Sequence, residues 1–307
     1  MPNTFADGAH DRFRECIELC EKHGFGRIEV ANRPMMAFTQ WFAGDTRGAL
    51  AVADTAIDRA VRVGHRRAEM VGHHAAFFCR HALMEFNTAL RNAESALTLA
   101  QQLGARRFET EALVFLAELH RLAGRREEAL ANAKEGVKIS GETSPAFLGP
   151  VALGALALAS DDPTARQAAL DQGEELLRAG AVSHNHLLFP RDAIEVYLEA
   201  GNWERAERCA AELEQYTRSE PLPFADFYIA RGRALAAVNL TSRSSPRNSS
   251  GFAPRVSGSV SGSHYVLSRQ RSTECANNSS PRRRGGASCQ DPCETRLRYT
   301  IALKIGH

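Results

Sequence analysis

The sequence predicts an all-α fold, a solenoid of about five and a half helix pairs followed by a disordered tail, and three observations carry that reading. A small residue closing one helix and an Ala-Leu start to the next recur in "AGDTRGAL" (43–50), "LMEFNTAL" (83–90) and "AGRREEAL" (123–130), in strict forty-residue register; "ASDDPTARQAAL" (159–170) and "AGNWERAE" (200–207) continue the series. Between these turns Ala, Leu, Val and Phe fall at i, i+3, i+4 and i+7, the spacing of one helix face. A period of this length marks a supersecondary unit that buries its apolar face only by stacking on a neighbour, so the core is spread between repeats.

The elements follow in order. A leading helix runs from about Asp11 to His23 and stops at Gly24 and Gly26 in "HGFGR". The pairs are then 27–43 with 47–63, 65–83 with 88–103, 105–123 with 126–140, 145–160 with 163–179, and 187–200 with 203–216. Residues 224–238 form the first helix of a sixth pair that has no second helix in the pattern, which leaves the 224–240 segment uncapped, to be covered by the tail or by a second chain through self-association, or to fray. Gly64 and Gly104 close second helices, because glycine enters the left-handed conformation without a Cβ penalty. Asn87 is expected as an N-cap, and Asp162 followed by Pro163 is a stronger start signal. Gly149 and Pro150 are expected to loosen or kink the helix that contains them. The organisation is a leading helix and loop over 1–26, a repeat domain over 27–240, and a basic Ser/Arg/Gly-rich tail over 241–307 without helical period.

Charge divides along the same boundary. Residues 241–307 carry 11 Lys and Arg against 3 Asp and Glu, leaving 27 against 33 for the first 240, so an acidic array precedes a basic tail. An acidic array is a poor nucleic-acid binder, and nucleic acid is not an expected partner. The seven cysteines (16, 20, 79, 209, 275, 289 and 293) are odd in number and scattered. "MPNTFADGAHDRFREC" lacks the apolar stretch of an export signal, and the apolar run 151–159 is too short to cross a bilayer. Reduced thiols, a cytoplasmic location and no membrane association are therefore expected.

Small residues recur where the helices of a pair must cross: Ala37 and Ala117 in first helices, Ala49, Ala89, Ala129 and Ala206 early in second helices, and Ala56, Ala96 and Gly136 later. This spacing resembles the tetratricopeptide fold with a lengthened unit. The strings "HGFGRIEVANRP", "VGHRRAEMVGHHAAFF", "LGARRFETEAL", "AVSHNHLLFPRDAIE" and "EPLPFADFYIARGRALAA" look like the C-terminal repeat region of bacterial proteins that carry a class III adenylate/guanylate cyclase domain followed by an AAA-type ATPase module. The resemblance covers roughly 11–238 and implies a regulatory or scaffolding segment whose catalytic domains lie upstream. In the resembling proteins helix continues beyond the sixth first helix. Here the composition changes after Leu240, as a shift of reading frame in a GC-rich gene would produce.

No phosphate-binding G-x-x-x-x-G-K-[ST] loop and no paired-aspartate cyclase metal site occurs, and Asp161 and Asp162 are explained by capping. His65, His73, His74 and His81 cluster in the second pair but lack a spacing that completes a metal set, as do Cys16 with Cys20 and Cys289 with Cys293. "SHNH" (183–186) reads as helix-start capping and "PRRRGG" (281–286) as a solvated run. No cofactor, metal or catalytic residue is assigned. The candidate partner groove comprises the inner positions of the first helices: Phe38 and Trp41, His74, Phe78 and His81, Glu118 and Arg121, Arg191 and Glu195, then Asp226 and Arg233. Aromatic anchors among charges suit an extended peptide or partner helix; the competing reading places Phe38, Trp41 and Phe78 in the core. The expected function is a non-catalytic interaction or regulatory scaffold. The alternatives are the detached C-terminal part of a cyclase signalling enzyme, and a small-ligand or peptide sensor using the groove.

Overall fold

The computed structural model describes residues 5–244, with side chains over 8–237, all within one compact unit. Among the described residues the chain is entirely helical. A leading helix α1 (Phe5–His23) precedes five pairs: α2 (Gly26–Phe42) with α3 (Thr46–Arg62), α4 (Arg66–Ala82) with α5 (Phe86–Gln102), α6 (Arg106–Leu122) with α7 (Arg126–Thr143), α8 (Pro145–Ala159) with α9 (Pro163–Arg178), and α10 (Asn185–Glu199) with α11 (Trp203–Thr217). The sixth first helix, α12 (Pro223–Ser244), continues past Leu240; the remainder of the tail, with Cys275, Cys289, Cys293 and "PRRRGG", lies outside the described residues. Consecutive helices pack on one another, and the first helices α2, α4, α6, α8, α10 and α12 also pack in series, which makes the array an α-solenoid.

The alanines at the crossings explain how the helices come so close. Ala49, Ala53, Ala56 and Ala60 of α3 are all fully buried, and axes approach to about 8–10 Å only where side chains at the contact are short. Among the glycines that face another helix the tightest approach is at Gly173 of α9, where a Cβ would lie 2.2 Å from the Phe189 ring of α10.

Turn chemistry repeats with the period. Gly44, Gly124 and Gly201 each follow a first helix with φ of +91°, +74° and +68°, and Met84 takes the equivalent place with φ +60°. A side chain in that conformation costs roughly 1 kcal/mol, and Met84 is 61% exposed, so it gains little from packing. Asn87 sits inside the first turn of α5; the N-cap position is Glu85, which makes no side-chain capping bond. Asp162 does cap α9, its carboxylate accepting from the Thr164 N–H at 3.0 Å with Pro163 in the first turn.

α8 runs unbroken through Gly149 and Pro150, contrary to the expected loosening. Pro150 has no N–H to offer the Ala146 carbonyl four residues back, and a neighbouring segment supplies donors instead. The Val182 N–H donates to Ala146 at 2.8 Å and the Asn185 side chain does so at 3.3 Å.

Curvature brings α12 back to the first pair. The Phe224 ring lies 4.9 Å from Trp41 and 5.6 Å from Phe42, centroid to centroid. Pro223 stands 3.3 Å from where a Cβ on Gly44 would be. Over the described side chains, 223–237, α12 leaves Pro223, Asp226, Ala230, Ala234 and Ala237 to solvent with part of Phe227, so this part of its outer face is mostly alanine and not a stripe of large apolar side chains.

Two tests follow. Met84→Gly is expected to raise unfolding stability by about 1 kcal/mol by relieving the left-handed strain; denaturant melts of the two proteins measure it, and an unchanged midpoint contradicts the assignment. Phe224→Ala removes the ring that joins α12 to α2, and limited proteolysis is expected to cut 223–244 several-fold faster while α2–α7 keep their protection.

Candidate functional site

The aromatic positions singled out in the first helices meet one another inside the curl. Phe38 of α2 is half-buried with its ring 5.8 Å from Phe78. Trp41 and Phe78 are each 8% exposed and lie 4.7 Å apart. Phe78 in turn contacts Phe115 of α6 at 4.9 Å, and Phe115 stacks on Phe77 at 3.9 Å. These rings are core, because the array curves tightly enough for Phe224 to close on Trp41.

The charged positions also find partners within the molecule. His74 is fully buried, its Nδ1 2.6 Å from the Glu111 carboxylate and its ring against Phe108 and Phe115. His81 lies 3.2 Å from Glu118, Arg191 lies 3.7 Å from Glu118, and the Arg191 guanidinium donates to Asp192 at 2.7 Å. Arg121 approaches Glu199 at 3.9 Å, and Glu195 accepts from Arg231 of α12. Two of the expected positions do not join. Arg233 turns to α11 and pairs with Glu207 and Glu214, both at 2.9 Å, while Asp226 is exposed.

Burial and charge work against each other in this cluster. Burial alone would raise the Glu118 carboxyl, but His81 and Arg191 outweigh it and hold it well below the usual carboxylate range. At Asp192 burial wins over the Arg191 guanidinium and lifts the carboxyl to about 6. Asp192 presses on α8 where only Gly154 fits, since a Cβ there would meet the carboxylate at 2.9 Å. Burial also pushes the Tyr228 hydroxyl up to about 12. A cavity of about 10 Å³ remains between Glu118, Arg121, Arg191 and Asp192, room for one water. The interior is thus a core of ion pairs with no chamber of ligand size among these residues, in which His74 Nε2, His81 Nε2, Arg121 Nε and Asp192 Oδ2 are buried without a hydrogen-bond partner of their own.

The remaining histidines and cysteines have local roles. The His65 Nδ1 accepts from the Ala68 N–H at 3.3 Å and caps α4. Asn92 donates to His73 at 2.9 Å, and burial, with His74 and Arg80 nearby, lowers the His73 imidazole to about 4. His184 reaches across to α8 and donates to the Phe147 carbonyl at 2.6 Å, making no side-chain cap to α10. Asn185, fully buried, donates to the Phe147 and Val182 carbonyls at 2.9 Å. Cys16, Cys20, Cys79 and Cys209 are free thiols, and burial lifts Cys79 and Cys209 to about 12. Among the described residues no three His, Cys, Asp or Glu side chains converge as a metal set.

A second feature escaped the sequence reading. Arg66 and Arg67 open α4, and Arg106 and Arg107 open α6 forty residues on. The first of each couple is taken up within the stack: Arg66 donates to Gln102 at 2.5 Å, and Arg106 pairs with Glu109 at 2.9 Å and Glu142 at 3.0 Å. The second of each couple is exposed and rests on aromatic rings. The Arg67 guanidinium lies 5.4 Å from the centre of Phe108, and that of Arg107 lies 5.2 Å from Phe108 and 4.8 Å from Phe147. Phe147 continues to His184 at 5.1 Å. The row crosses the starts of α4, α6, α8 and α10. The doubled arginine at a forty-residue interval was its signal in the sequence, one that pattern-matching to the inner helix positions passes over.

No protein-family model matches this chain, and no curated protein matches it. Among the described residues no helix is long and apolar enough to cross a membrane.

The Asp192 carboxyl gives a pH test. Its ordinary value of 3.8 is raised in the folded state to about 6, so the folded chain holds the proton more tightly and stability is lost as pH rises through that window. Asp192→Asn is therefore expected to gain on the unaltered protein between about pH 4 and pH 7, with the difference vanishing on the acid side. Denaturant midpoints across that range measure it, and a difference independent of pH would show that Asp192 ionises normally.

Proposed function

We propose that this chain is a non-catalytic protein-interaction module, a cytoplasmic tetratricopeptide-like scaffold related to the repeat region of cyclase-type signalling proteins, and that its partner is a protein or peptide. The observation that supports this reading most directly is the row from Arg67 to His184. It is a continuous surface of cations and rings assembled from four successive pairs. A solenoid is suited to such a role because each pair adds one increment to an extended surface. The interior supports it by contrast, since its ionisable groups are occupied with one another. The resemblance to proteins with upstream cyclase and ATPase domains supports the signalling context.

Cross-linking of the full chain in its native cells, followed by mass spectrometry of the linked peptides, tests the reading. A reproducible protein partner joined to first-helix residues is the expected result. Conversion of ATP or GTP to a cyclic nucleotide by the purified chain alone, or the absence of any cross-linked partner, would overturn it.

A further inference from the structure

The row of arginines and rings has a chemistry specific enough to name the partner's character. Each exposed arginine lacks a carboxylate partner among the described residues, although each stands one position from an arginine that has a polar partner. Both guanidinium groups are within 5.4 Å of the same ring centre, that of Phe108. A guanidinium laid on a ring keeps its N–H donors in its own plane, free for bidentate bonding, while its face is shielded from water. Such a group is already ordered, so binding an anion costs less side-chain entropy than it would for a free arginine. Glu111, which feels the charge of His184 at the far end of the row, is hydrogen-bonded to His74 and forms no ion pair with Arg67 or Arg107 among the described residues.

We infer that this ledge binds an acidic peptide segment in extended conformation, two of its carboxylates taken bidentately by Arg67 and Arg107 while the backbone between and beyond them crosses Phe108 and Phe147 towards His184. The inference rests on the interaction reading and supplies the partner's chemistry. Extended chain advances about 3.3 Å per residue, so carboxylates two or three residues apart match a pair of guanidiniums that share one ring. Carboxylate–guanidinium pairs of this kind are among the stronger hydrogen bonds available at a surface. Charge complementarity favours a short acidic segment over a polyphosphate. The first 240 residues carry 27 basic against 33 acidic side chains, so a long polyanion meets repulsion away from the ledge, whereas two carboxylates need only the two free arginines.

The experiment uses the full chain and three labelled probes: an alternating glutamate–alanine peptide, the same peptide with glutamine for glutamate, and an oligothymidylate of similar length. Fluorescence anisotropy at low and moderate salt is expected to show binding of the glutamate peptide alone. Arg107→Ala and Arg67→Ala should each weaken it at least tenfold, and Arg106→Ala, whose side chain is already paired, less than threefold. Because Arg67 and Arg107 are exposed, their variants should melt within a few degrees of the unaltered chain, which separates lost binding from lost folding. Oligothymidylate binding that is stronger than glutamate-peptide binding and is weakened by Arg67→Ala and Arg107→Ala, equal binding of the glutamine peptide, or glutamate binding indifferent to both arginine substitutions would overturn the inference. Native cross-links that join a partner elsewhere on the first helices would overturn it too, while leaving the interaction reading intact.

Discussion

The close crossing of helices at alanine and glycine positions is the constraint on which the rest of this structure depends. Short side chains at Ala49, Ala53, Ala56 and Ala60, and the bare backbone at Gly173, let successive helices approach until larger neighbours such as Phe189 fill the space that remains. Close approach sets the curvature, and the curvature carries α12 far enough round to rest Phe224 on Trp41. Once that contact forms, the space left beside Glu118, Arg121, Arg191 and Asp192 is about 10 Å³, room for one water. The groove expected from first-helix positions becomes a packed interior, and the surface available to a partner moves to the edge formed by the starts of the helices.

The interior shows why a row of inner charges need not be a binding site. Glu118 is held by His81 and Arg191, Arg191 also by Asp192, and Glu195 by Arg231. Each ion has a counter-ion from another helix, except that Asp192 and Arg191 are sequence neighbours. Paired burial of this kind contributes little net stability, because desolvating two ions offsets most of their attraction. Breaking one pair is costly, since it strands the other charge. The cluster therefore fixes how α4, α6, α10 and α12 register against each other more than it strengthens their association. The raised Asp192 carboxyl and the lowered Glu118 carboxyl, side by side, show both outcomes of the same competition between burial and charge.

At the edge the balance is different. Arg67 and Arg107 keep contact with water and rest on rings that belong to the fold, so their positions are set by packing while their charge meets no carboxylate among the described residues. Pro150 contributes indirectly. The carbonyl of Ala146 that it leaves without a helical donor is met by Val182 and Asn185, and this ties the start of α10, with His184, to the start of α8, with Phe147. A break in one helix's hydrogen bonding thus becomes the joint that extends the row to a fourth pair.

Local chemistry determined much of the fold by itself. The forty-residue turns, the 3.6-residue periodicity, the positive-φ glycines and the Asp162–Pro163 start each act within a few residues, and they place α2 to α6 to within a residue or two. The continuity of α8 through Pro150 and the end of α12 beyond Leu240 lay outside that reach, the first because its missing donors come from the 182–185 segment. Which face of each first helix met another helix, and which met solvent, also depended on the tertiary structure. Trp41 and Phe78 carry the same apolar surface whether they face a partner or each other, and only the accumulated angle between five pairs decides whether Phe224 arrives to cover them. The sequence by itself therefore determined a solenoid of helix pairs and its period. Curvature, a small rotation summed over every crossing, decided that the groove would close and that the arginine–phenylalanine row would remain open.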